Sequence, residues 1–158
     1  MATKLPLVIT NGVVQQLQAG DSLDTRAEQF QLINDEATPV VIGSAVYPDV
    51  AGGFKKAQAN AAGTKDVIGL VGQAPSITNA VAGAITLDGV LTATTTQWDA
   101  VTGDVGGLVF KARYYLDPTT PGKITKTAPT AVGQYVCEIG EAMSTLDLKI
   151  NILAPVLL

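Results

Sequence analysis

No histidine occurs anywhere in the chain, and there is a single cysteine, Cys137. Their scarcity removes whole classes of chemistry. Ser-His-Asp and Cys-His nucleophile arrangements need an imidazole base, and His-ligated metal sites need an imidazole ligand. One cysteine excludes an intrachain disulfide framework and any multi-cysteine zinc site. Its setting, QYVCEIG, alternates as a strand does, so Cys137 reads as a small buried hydrophobe rather than a reactive thiol. Charge is also scarce: 15 % of residues are Asp, Glu, Lys or Arg, where about 25 % is ordinary. The net charge is −4 and the pI about 4.6. General nucleic-acid binding is therefore not expected, since it needs a Lys/Arg surplus to neutralise phosphates. The one basic cluster is FKK at Phe54–Lys56.

Long hydrophobic runs are missing too. The longest, ILAPVLL at the C-terminus, is about a third of a membrane span and is broken by Pro155. Near the N-terminus, KLPLVITNG is too short for a signal-peptide core and lacks a small-residue cleavage site. The expectation is a protein made in a cytoplasm, with no membrane partner. Neither GxxxxGK[ST], GxSxG nor GxGxxG occurs, and PGKIT has one glycine and no phosphate-cradling loop.

What is present is apolar. Residues of hydrophobic type make up 47 % of a 158-residue chain, enough for one domain with a real core. So apolar a chain with so little charge is expected to bury surface in an oligomer or a larger assembly. The alternative is a tightly packed monomer with a Thr/Gln/Asn surface.

The local pattern is that of strands. PLVITNGVVQQLQ places two apolar runs around Asn11-Gly12, a strong hairpin signal. FQLIND fits a strand or a short helix. TPVVIGSAVY reads as a strand, with Gly43 marking a bulge or a close backbone approach. FKKAQANA, KDVIGLVG and SITNAVAGAITLDG read as short strands, because glycines recur too often for helix. In GVLTATTTQWDAVTG, Thr95 or Thr96 is expected to cap one helical turn anchored by Trp98 and ended by Gly103.

GLVFKARYYL alternates, which predicts Leu108, Phe110, Ala112, Tyr114 and Leu116 on one face and Lys111, Arg113 and Tyr115 on the other. DPTTPG is a turn and KITKTAP its return strand. GQYVCEIGEAM reads as one further strand. TLDLKINIL predicts Leu146, Leu148, Ile150 and Ile152 inward, with Asp147, Lys149 and Asn151 outward. Many short strands with turn signals every ten residues or so predict an all-β fold. The expected architecture is a sandwich or jelly-roll-like barrel of short antiparallel strands, with a single helical turn around Trp98. A division into an N-terminal arm, residues 1–39, and a β module, residues 40–158, is expected.

Candidate chemistry is thin. Asp21 with Asp24, or Glu138 with Glu141, could form a carboxylate pair, but both sit where solvated turn or strand-end residues are ordinary. Residues 34–36 (NDE) and DSLD are oxygen-rich without the spacing of a calcium loop. Trp98 could serve as a sugar-stacking platform or as a buried anchor, and its place after a helix cap favours the anchor. No catalytic residue, cofactor or resident metal is expected.

The stretch TTTQWDAVTGDVGGLVFKARYYLDPTTPGKITKTAPTAVGQYVCEIGEAMSTLDLKI resembles a β module of tailed-bacteriophage virion proteins. The order that carries the resemblance is a W-D turn, Gly-Gly-Leu, Tyr-Tyr-Leu-Asp, Pro-Gly-x-Ile-Thr, Gly-Gln-Tyr-Val and Ile-Gly-x-Ala-x-Ser-Thr. VVIGSAVYPDVAGGFKKAQAN and VIGLVGQAPSI look like earlier strands of the same module, so the resemblance covers residues 40–150. The module is found in tail-fibre or baseplate components and in small capsid-decoration proteins. A chain ending eight residues beyond the module looks more like a decoration, or cement, protein than a fibre with shaft and tip. The resemblance then implies a homotrimer on the capsid exterior whose partner is the major capsid protein. The runner-up is a tail or baseplate adaptor, and the third reading a carbohydrate-binding attachment module, which aromatics at 5 % disfavour. Candidate capsid or intersubunit contacts are Leu5, Leu7, Val8, Ile9, Val13, Val14, Tyr115, Ile152, Leu153, Val156 and Leu157.

Overall fold

A computed structural model describes residues 7–10, 13–16 and 28–158, with side chains from residue 28 onward. In chain order the first strands are β1 (Leu7–Thr10), β2 (Val13–Gln16), β3 (Gln29–Ile33), β4 (Val40–Val41), β5 (Ala45–Pro48) and β6 (Phe54–Lys56). Next come β7 (Gly69–Val71), β8 (Ser76–Ile77), β9 (Ala82–Thr86), β10 (Gly89–Thr92) and the helix α1 (Thr95–Thr102). The chain closes with β11 (Arg113–Leu116), β12 (Ile124–Thr125), β13 (Tyr135–Val136), β14 (Glu138–Ala142), β15 (Asp147–Ile150) and β16 (Val156–Leu157).

The fold is all-β, built from two five-stranded antiparallel sheets. One runs β3-β9-β7-β5-β6 and the other β10-β15-β14-β11-β12. Neither closes on itself, so the arrangement is a sandwich and not a barrel. Two-stranded ribbons, β4-β8 and β13-β16, complete it. The hairpin β1-β2 pairs Thr10 with Val13, the register a two-residue connection requires; Asn11 and Gly12 themselves lie outside the described residues. FQLIND takes the strand alternative as β3, which pairs with β9 along its whole length.

The two central strands of the first sheet explain the apolar composition. Side chains alternate across a sheet, yet Ala45 and Val46 in β5 are both buried, as are Leu70 and Val71 in β7. One set packs into the main core with Leu116, Ile139, Leu148 and Ile150 from the second sheet. The other set, Val46 and Val71, joins Phe54 and Ile85 beneath Val40 and Ile77 of the β4-β8 ribbon. The first sheet is therefore covered on both faces. Three layers result, and the composition follows from them.

α1 is eight residues long, a little over two turns, where one turn was expected. Its cap is Thr94, not Thr95 or Thr96: Thr94 Oγ1 accepts the Gln97 N–H at 3.2 Å, and Gln97 Oε1 accepts the Thr94 N–H at 2.9 Å. Gly103 ends it in the left-handed conformation as expected. Trp98 is fully buried, and its Nε1 donates to the Leu146 carbonyl at 2.7 Å. The indole lies on Gly43, whose φ is +84°; a Cβ there would sit 2.8 Å from Trp98 Cζ3. Gly43 is thus the close approach the sequence suggested, and it divides the expected single strand into β4 and β5.

Three other readings are corrected. Phe110 is 60 % exposed rather than inward, because Lys111 takes a φ of +63° and breaks the alternation before β11 begins. Leu146 is 40 % exposed, because it lies in the turn where its carbonyl receives the Trp98 indole. GQYVCEIGEAM is two strands, with β13 pairing with β16 and β14 with β11 and β15. The DPTTPG hairpin is as read: Tyr115 pairs with Thr125 and Leu116 with Ile124. Asp117 Oδ1 accepts the N–H groups of Thr119 and Thr120 at 2.6 and 2.9 Å, which holds the turn. No helix among the described residues is long and apolar enough to cross a membrane.

Candidate functional site

The candidate contact residues fall in three places. Leu5 lies outside the described residues. Leu7, Val8 and Ile9 belong to β1, and Val13 and Val14 to β2; their backbones form the hairpin, while their side chains lie outside the described set. Tyr115 is half-buried on β11, between Thr125 of β12 and Glu138 of β14. It does not join the others.

The C-terminal residues do come together. Ile152 packs partly against the main core, and Leu153 is exposed beside it. Both line an apolar cleft of about 300 Å³ with Pro48, Ile68, Cys137 and Pro155. Beyond Pro155 the chain turns extended and β16 pairs with β13, Tyr135 opposite Leu157 and Val136 opposite Val156. Val156 and Leu157 are 61 % and 59 % exposed. Leu158, absent from the candidate set, extends the same apolar edge; its N–H donates to the Gln134 carbonyl and its carbonyl accepts the Gly133 N–H, each at 3.0 Å. Its signal was in plain view as the last residue of PVLL.

Proline explains the local form. After β15 the Asn151 and Leu153 N–H groups still donate to the Ile139 and Glu138 carbonyls of β14. Pro155 has no N–H to continue the ladder, and beyond it the chain pairs with β13 instead. A short strand held at one edge, with apolar side chains facing water, is a surface that protein contacts commonly cover. Cys137 lies below it, fully buried, its Sγ 3.4 Å from the Leu153 carbonyl oxygen. Burial pushes the thiol up to about 11, with Asp66 adding to the effect. The reading as a buried small hydrophobe holds.

Of the carboxylate candidates on β14, Glu138 is ion-paired and Glu141 is exposed. Glu138 holds Arg113 at 3.3 Å, and Glu141 stands opposite Arg113 and Lys149 in the ladders of β11 and β15. Asp21 and Asp24 lie outside the described residues. In the oxygen-rich segment 34–36, Asn34 is buried and donates from Nδ2 to the carbonyls of Thr38 and Ile77 at 3.1 and 2.8 Å. Its Oδ1 accepts the Glu36 N–H at 2.9 Å and Glu36 Oε1 the Lys56 N–H at 2.8 Å, while Asp35 Oδ2 is buried without a hydrogen-bond partner among the described residues. Among the described residues no group of three or more acidic or cysteine side chains converges. Trp98 is the buried anchor and offers no ring to a sugar.

No protein-family model matches the chain, and no curated protein matches it.

Proposed function

We propose that this chain is a capsid decoration protein of a tailed bacteriophage, which binds the outside of the expanded shell and bridges neighbouring major capsid subunits. The observation that carries the reading is the apolar edge of β16, with Val156, Leu157 and Leu158 turned to solvent beside the cleft at Leu153. The resemblance of residues 40–150 to the phage virion module supplies the context. In this reading the protein acts by mass action: it binds only the assembled lattice, so its binding free energy adds to shell stability. A homotrimer engaging three capsid subunits gains avidity on the order of 10²–10⁴ over a single contact. The shell then resists internal DNA pressure without any catalytic step.

The experiment is co-sedimentation of the purified protein with expanded capsids that lack it, with isolated tails alongside. Saturable binding to capsids, lost in Leu157→Asp and accompanied by greater heat resistance of the shell, is the expected result. Binding to tails alone overturns it in favour of the tail adaptor. Binding to neither, with retention on a glycan surface, overturns it in favour of the attachment module.

A further inference from the structure

A second cleft, of about 230 Å³, opens between β6, the turn joining β11 to β12, and the C-terminal half of α1. Lys56 and Lys123 both line it, together with Ser44, Thr120, Val41 and Val101. Four other basic side chains are ion-paired. Lys55 holds Asp49 at 3.1 Å, Lys126 holds Asp104 at 3.0 Å, Arg113 holds Glu138, and Lys65 holds Asp66. Lys111 lies over the Phe110 ring, and Lys149 stands opposite Glu141. Among the described residues, no carboxylate forms an ion pair with Lys56 or Lys123.

The nearby carboxylates are directed elsewhere. Glu36 Oε1 accepts the backbone N–H of Lys56 at 2.8 Å, not its ammonium. Asp117 Oδ1 accepts from Thr119 and Thr120, and its charge interacts with that of Lys123 without forming an ion pair with it. Ser44, only 4 % exposed, lines the same cleft. A serine and two lysines that form no ion pair among the described residues, on the wall of one cleft, make a donor set suited to an anionic acceptor.

The frame is fixed before any ligand arrives. The Gly122 N–H donates to the Ala57 carbonyl at 2.7 Å, and the Ala45 N–H to the Gly122 carbonyl at 2.9 Å. Gly122 has a φ of +79°, and a Cβ on it would meet Lys56 Cγ at 3.0 Å. The turn therefore packs directly on the Lys56 stem and sets Lys123 beside it.

We propose that this cleft binds a carboxylate group, carried by an acidic side chain of a partner or by a free small carboxylic acid. Two ammonium groups and a hydroxyl supply the donors. The apolar wall of Val41, Val101 and Pro121 receives the hydrocarbon stem that a carboxylate carries and a phosphate ion lacks. The site does not depend on the capsid reading and stands or falls separately from it.

The test is a titration of the ¹⁵N-labelled protein followed by amide NMR shifts. The probes are sodium propionate, a blocked glutamate (N-acetyl, C-amide) and inorganic phosphate, each at matched ionic strength against sodium chloride. Propionate is expected to shift the Ser44, Lys56, Gly122 and Lys123 amides saturably, with a dissociation constant on the order of 10 mM for so small a ligand. The double variant Lys56→Gln/Lys123→Gln should weaken this at least tenfold, and Ser44→Ala should weaken it by a smaller factor, with amide dispersion elsewhere unchanged. Blocked glutamate binding as well as propionate assigns the cleft to an acidic side chain; propionate alone binding assigns it to a free acid. Preference for phosphate, shifts equal to those from chloride, or undiminished binding in the folded double variant overturns the proposal.

Discussion

At the scale of single residues, Gly43 has little freedom to change. Its left-handed backbone and its contact with the Trp98 ring act together. Gly43→Ala must strain φ and move a fully buried indole, so the expected loss is about 2–4 kcal/mol, a fall in Tm of roughly 5–15 °C. Thermal unfolding followed by far-UV circular dichroism reads it directly, and a fall below about 3 °C would contradict the account. Asp147 makes a different residue-level case. Ser144 and Thr92 donate to its carboxylate at 2.7 and 2.6 Å, and these bonds hold its pKa below the ordinary 3.8. The unfolded chain thus binds the proton more readily than the folded one. The stabilisation is present above about pH 4 and is lost as pH falls through the lower folded value. The Tm gap between the natural protein and Asp147→Asn should therefore be widest near pH 6 and shrink towards pH 3; a gap that does not change with pH would remove the role.

At the scale of elements, α1 shows how little a short helix need owe to charges at its ends. It has no acidic residue in its first turn and no basic residue in its last. What holds it is the reciprocal Thr94–Gln97 cap and the buried face of Trp98 and Val101. Thr94→Ala should cost about 1 kcal/mol, and Thr94→Ser close to none, in equilibrium urea unfolding. Sequence placed this helix, its anchor and its end, because Trp98 and Gly103 act locally. It misplaced the cap because three consecutive threonines offer the same side-chain oxygen, and only the path of the chain out of β10 selects among them. The β11–β12 hairpin was legible for a similar reason: Pro118, Pro121 and Gly122 fix the turn chemistry within six residues. Phe110 was not legible, since nothing in VFKARYY announces the positive φ of Lys111. The apolar β16 edge could be read from PVLL. The lysine cleft could not, because residues 44, 56 and 123 meet only through three layers of packing.

At the scale of the whole molecule, one core cluster takes side chains from both sheets and from α1. Neither sheet can lose its partner without exposing that cluster, so Trp98 fluorescence and far-UV circular dichroism should report one coincident urea transition. Its slope should be about 1–3 kcal/mol/M; separated midpoints would mean that the layers unfold independently. Cys137 adds a finer clock to the same molecule. Its sulfur is sealed beneath the chain that leads to β16, and its thiol is held in the protonated form at neutral pH. With the sulfur against the Leu153 carbonyl, lifting of that last segment exposes it to a thiol reagent. The labelling rate of the native protein at pH 8 should be at least ~100-fold below that of the urea-unfolded chain, a measure of how seldom the segment opens. The same reaction, repeated with expanded capsids present, would turn one silent cysteine into a timer for the proposed docking.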